Sequence, residues 1–104
     1  MRAALSFTLI VLGAALAVSA CAQEPVGQGR KYFMDSGYYG CHVVGKVGTP
    51  IGPSLSNVGA EYSRSYLERW LRDPSAQRPN AHMPTLELSE QQVKAVAAFL
   101  ASLR

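Results

Sequence analysis

The sequence predicts an all-α fold of three to four short helices joined by long loops. Two observations carry the helices. Ser65-Tyr66-Leu67-Glu68 and Ser89-Glu90-Gln91-Gln92 each place Glu or Gln three residues after a serine, next to an apolar stripe. That is the pattern of a capping box, in which serine and Glu/Gln satisfy free amides at a helix start. No segment alternates apolar and polar residues over the length of a strand. The third observation concerns a loop. Residues 41–61 hold Gly45, Gly48, Pro50, Gly52, Pro53 and Gly59 and follow neither period. A structureless loop this long is uncommon in a small domain unless it is functional. It makes sense if it wraps a ligand that supplies part of the core.

The elements follow in order. Met1 to Ala20 has one basic residue, Arg2, then an apolar run from Ala3 to Val18 and small residues. This is the layout of a secretory signal peptide. The run is short for a membrane span, which needs ~20 residues, and Ser6, Thr8 and Gly13 interrupt it. Val18-Ser19-Ala20-Cys21 resembles the lipobox of bacterial lipoproteins, which implies that Cys21 is acylated and becomes the mature N-terminus. The chain therefore divides into a leader at 1–20, a tether at 21–27 with Pro25 and Gly27, and a domain at 28–104. In the domain, Gly29, Tyr32 and Phe33 share a face of a helix expected from Gln28 to Asp35, ended by Gly37. A second helix, N-capped by Ser65, carries Tyr66, Leu67, Trp70 and Leu71 and stops at Asp73-Pro74. Residues 75–88 read as loop. The last helix starts at the Ser89 box and aligns Val93, Val96, Ala97 and Leu100, with Phe99 and Leu103 beside them.

The chemistry centres on "SGYYGCHVV", residues 36–44. A haem-attachment site of c type reads C-x-x-C-H. Cys41-His42 supplies its second half, and Tyr38 stands where the first cysteine belongs. With Cys21 lipidated, Cys41 has no disulfide partner, and haem attachment accounts for it. A cysteine bonded to a haem vinyl group and a histidine on the next residue reach the edge and the iron of one porphyrin. His/Met ligation belongs to electron-transferring cytochromes and raises the potential. Met34 is too close to His42 in sequence to reach the opposite face. Met83, just before the last helix, is the expected second ligand, and the adjacent His82 is its rival. The formal net charge of +3 forms no dense basic stripe, so nucleic-acid binding is not expected.

Several features keep the order and spacing of one family. They are Gly29 and Phe33, Cys41-His42, Gly52-Pro53-x-Leu55, "YLERWLRDP", Met83-Pro84 and Phe99. In these the domain resembles small class I bacterial cytochromes c. The resemblance implies a class I cytochrome c fold around one haem c, with first and last helices crossing so that Gly29 lets Phe99 approach. It implies metal ligation by His42 and Met83, with Leu55 among the cofactor-binding residues. It also implies a Pro53 carbonyl that accepts a hydrogen bond from the His42 ring, and a propionate bonded by Trp70 or Tyr62. The chain departs from the family at Tyr38, so the haem is expected to be held by a single thioether at Cys41.

The expected function is electron transfer without enzymatic turnover, at the periplasmic face of the membrane through a lipid on Cys21 or free in the periplasm. The expected partners are redox proteins: an oxidase, a reductase or a dehydrogenase. Two other readings stand beside it. One is a haem-based enzyme or gas sensor with an open distal site. The other is a haem-free lipoprotein interaction module, if Tyr38 abolishes attachment.

Overall fold

The structure, a computed structural model, describes residues 25–104. The leader, the lipobox and Cys21 lie outside the described residues. Helix α1 occupies residues 25–35. It is already formed ahead of the expected Gln28, so residues 25–27 belong to the helix and not to the tether. The overlooked signal is Val26, three residues before Gly29 and seven before Phe33 on the same face. Val26 packs against the core. The helix closes before Gly37, which takes φ 83°. A single 3-10 turn follows at Tyr38–Gly40.

A small antiparallel hairpin pairs β1 (Val43–Val44) with β2 (Val47–Gly48). The sequence reading expected no strand pair. Two residues per strand are too few to display an alternation. Helices α2 (Val58–Glu61) and α4 (Pro74–Gln77) were likewise read as loop, because one turn of helix is too short to show a period. Between them lies α3, Arg64–Arg72. Its N-cap is Ser63, whose hydroxyl accepts from the Tyr66 amide at 3.2 Å, and not the expected Ser65. The helix thus begins about half a turn earlier, and Glu68, freed from capping, lies 3.7 Å from Arg72. Asp73 closes α3 and its carboxylate then caps α4 through the Ala76 amide at 3.3 Å, with Pro74 in the first turn, where its missing N–H costs nothing.

Helix α5 (Glu90–Ala101) starts at Ser89 with both bonds of the expected capping box: Gln92 N–H to Ser89 Oγ at 3.1 Å and Ser89 N–H to Gln92 Oε1 at 2.8 Å. Residues 95–100 are buried on every face of the helix. Helices α2 and α3 pack on it, burying Val58, Leu67 and Leu71. Helix α1 meets it at Gly29, against Ala95 and Phe99. A short helix such as α3 is marginal on its own. Full burial of a Leu or Val, worth about 1.5–3 kcal/mol each, is what holds it. The exposed Arg72–Glu90 ion pair joins the end of α3 to the start of α5. It orients the two helices more than it stabilises them.

The α1–α5 crossing requires Gly29. A Cβ there would lie 1.9 Å from the Ala95 carbonyl oxygen and 2.9 Å from Phe99 Cβ. The closest backbone neighbour is therefore Ala95, one turn before the Phe99 that the resemblance implied. Gly29→Ala is expected to lower stability by about 1–3 kcal/mol through overpacking, although alanine favours helix by about 1 kcal/mol. Urea unfolding measures it, and an unchanged midpoint would mean that the crossing can open without loss.

Candidate functional site

The site is built from the turn after α1. The Tyr38 carbonyl accepts the amides of both Cys41, at 3.1 Å, and His42, at 2.9 Å. These two hydrogen bonds to one oxygen fix the Cys41-His42 pair against the turn. Cys41 is exposed overall, whereas His42 is only 7 % exposed. The His42 ring is held from below. Its Nδ1 lies 2.7 Å from the Pro53 carbonyl oxygen. A carbonyl can only accept, so Nδ1 carries the proton, and in the neutral ring Nε2 keeps its lone pair. The loop that brings Pro53 there is anchored by the Gly52 amide on the Cys41 carbonyl at 2.6 Å. At Gly52 a Cβ would meet His42 Cε1 at 2.6 Å. Only glycine lets the strap lie flat against the imidazole.

The opposite wall comes from α2, α3 and the segment after α4. Tyr62 stacks on Tyr66 with ring centroids 4.7 Å apart, and Tyr66 on Trp70 at 6.4 Å. Positions 62, 66 and 70 recur every four residues, so one face of α3 and its approach presents three rings. The Trp70 indole N–H donates to Met83 Sδ at 3.2 Å. An indole has one N–H, so of the two donors that the resemblance offered a propionate, Trp70 is here on the sulfur and Tyr62 is left.

These walls enclose one cavity of about 800 Å³, inside the range of ~300–1,000 Å³ typical of cofactor sites. Cys41, His42, Pro53, Leu55, Tyr62, Trp70 and Met83 all line it. His82 lines it too, with its residue exposed, whereas Met34 does not and is 54 % exposed. Among the described residues no cluster of three or more His, Cys, Asp or Glu could hold a bare metal ion. The donors in this largely apolar cavity are the His42 and His82 imidazoles and the Met83 thioether. They suit an iron that brings its own four nitrogens, and they suit nothing smaller.

Tyr38, the departure from the motif, also lines the cavity, and the sequence does not show how its ring is placed. Tyr38 is only 6 % exposed and lies with its ring stacked on Phe33, centroids 4.9 Å apart and planes 14° apart. Phe33 in turn packs on Tyr39 at 4.9 Å and on Phe99 at 5.4 Å. Burial pushes the Tyr38 phenol up from 10.0 to about 12.

Fold, cavity and donor set together define a haem protein of cytochrome type. A family profile described as cytochrome c matches residues 26–104. The chain belongs to the cytochrome c family, and its cofactor is haem c. It is 35 % identical over 100 residues to cytochrome c oxidase subunit 2 of Alkalihalophilus pseudofirmus (strain ATCC BAA-2126 / JCM 17055 / OF4), covering 84 % of this chain and 29 % of that protein. It is 32 % identical over 83 residues to a nitric oxide reductase subunit of Stutzerimonas stutzeri, covering 74 % of this chain and 57 % of that one. The chain thus spans less than two thirds of either relative. Both names, with the family, support haem-based electron transfer.

The raised Tyr38 pKa sets a pH dependence. A phenol whose folded pKa exceeds its unfolded value stabilises the fold fully below the unfolded pKa. Here that contribution is complete below pH 10.0 and is lost as the pH rises through about 12. Tyr38→Phe is expected to flatten this part of the alkaline limb. Thermal melts across that window test it, and an identical limb in both proteins would place the phenol in water.

Proposed function

We propose that this chain is an exported, lipid-tethered electron-transfer protein whose haem is bonded once, through Cys41, and ligated by His42 and Met83. The observation that carries the reading is the His42–Pro53 hydrogen bond at the wall of the cavity. It fixes the tautomer and leaves Nε2 as the ligating atom, the usual arrangement for a metal-bound histidine. When bound, the haem supplies a one-electron Fe(III)/Fe(II) couple. The residues do the rest. Met83 offers a soft thioether sulfur, which favours the ferrous state and raises the potential. Trp70 orients that sulfur through its N–H. Leu55, Leu67 and Leu71 keep water away from the couple, which limits reorganisation on electron transfer. His42 and Met83 would both be used to hold the haem, which would leave no site for a substrate, so the reading is a carrier or an electron-transfer subunit and not an enzyme.

Cys41 is the one sulfur available for covalent attachment among the described residues. Export and the anchor rest on the leader and on Val18-Ser19-Ala20-Cys21. Among the described residues no helix is long and apolar enough to cross a membrane, which is compatible with a lipid on Cys21 as the attachment. Redox partners of the oxidase or reductase class are supported by the two relatives, which are named as subunits of such enzymes.

The test is a pyridine haemochrome spectrum with intact mass after acid–acetone extraction of protein purified from the periplasmic side. Haem is expected to stay with the chain and to show the α band of a single-thioether form. Cys41→Ser is expected to release all of it. Haem that extracts fully from the wild type would refute attachment at Cys41, and a wild type with no Soret band would refute the cytochrome reading of this site. Met83→Leu is expected to open the reduced protein to carbon monoxide, which the wild type excludes. Ready binding by the wild type would sink the six-coordinate carrier.

A further inference from the structure

The residue at the missing cysteine position is built into the molecule. Its carbonyl takes the amides of Cys41 and His42, so the Tyr38 side chain is held in fixed register with the attachment pair. Its ring is buried and lies nearly parallel to Phe33, which has no exposed surface and belongs to the α1–α5 crossing through Phe99. Tyr38, Cys41 and His42 all line the same cavity. A bulky residue accepted by chance in place of a small thiol would turn out to solvent or distort the turn. Here the turn is intact and the ring completes an aromatic cluster.

We propose that Tyr38 is a positioning residue for the haem: its ring, clamped on Phe33, forms a non-covalent wall at the place where the family's first cysteine would bond the porphyrin edge. The haem is then held by one covalent bond, two axial ligands and this wall, and keeps one vinyl group unreacted beside Tyr38. The proposal rests on the haem reading above. It goes beyond it in giving the departure from the motif a function.

The experiment uses the full chain matured with haem. Tyr38→Cys recreates the two-cysteine motif. If residue 38 faces the porphyrin edge, its pyridine haemochrome α band is expected to move to the two-thioether position, while Tyr38→Phe keeps the band of the wild type. In a Cys41→Ala background, transfer of haem to excess apomyoglobin reads the wall directly. Tyr38→Ala is expected to speed release about tenfold, the effect of opening a hole of roughly a ring's volume beside a buried group, and Tyr38→Phe to leave the rate near that of Cys41→Ala alone. Where the Cys41→Ala protein does not accumulate haem, the α band of Tyr38→Cys decides. A band that stays at the one-thioether position in Tyr38→Cys, or equal release from the Ala, Phe and parent proteins, overturns the wall. A wild type without haem overturns the underlying reading instead, so the two failures are told apart.

Discussion

The close approach of α1 to α5 is the constraint on which the site depends. Gly29 lets the two backbones meet at the Ala95 carbonyl. That contact sets where Phe33 lies one turn later, against Phe99. Phe33 then provides the surface on which Tyr38 stacks, and the Tyr38 carbonyl fixes the amides of Cys41 and His42. A single backbone contact is thus passed from residue to residue to His42. Each step is close-packed, and packed interiors transmit a shift rather than absorb it. The terminal helices are therefore part of the site's machinery although neither carries a ligand.

The other half of the site depends on straps instead of helices. His42 is held by the Gly52-Pro53 strap, and Met83 lies in an irregular stretch between α4 and α5, held by the Trp70 N–H. Loops normally lie at the surface because buried backbone must find partners. The first of these straps does so by closing on itself and on the turn before it: Gly52 on Cys41, Leu55 on Val43, Thr49 on Tyr39. What they cannot supply is apolar volume. The cavity they enclose is large for a domain of this size. On the proposed reading a porphyrin would fill it and turn two loops into walls. This explains how so small a chain can dispense with a larger core.

Much of this was legible in the sequence, for physical reasons that also mark where the reading stopped. The Ser89 box was legible because only one serine stands before that apolar stripe. The α3 cap was misread because Ser63 and Ser65 both precede the stripe, and Glu68 three residues after Ser65 imitated a box. Helices α2 and α4 and the hairpin were illegible because one turn, or two residues, cannot display a period. The His42–Pro53 hydrogen bond was legible because the motif restricts residue type and order, and Met83 lines the same cavity. Trp70 was placed in the pocket but given another partner, since the direction of an indole N–H is a rotamer property that composition does not encode. The burial of Tyr38 was illegible for the same reason: a tyrosine beside Gly37 and Gly40 reads equally well as a surface residue.

The exchange of a cysteine for Tyr38 replaces one kind of restraint with another. A covalent link acts chiefly on the unfolded chain, by removing freedom it would otherwise have, an effect of about 2–4 kcal/mol for a disulfide closing a loop of ordinary length. The loop between positions 38 and 41 is very short, and on the proposed reading a Cys41 bond would already tie the chain to the same haem. A second link three residues away closes little additional loop, so it gains less than that figure. A buried aromatic ring acts on the folded state, through surface removed from water and through stacking that adds about 0.5–1.5 kcal/mol beyond burial. With Phe33 already in place to receive a ring, the two contributions are of similar size. On the proposed reading a second thioether at position 38 would then be dispensable for holding haem, provided that the α1–α5 crossing keeps Phe33 where the ring needs it.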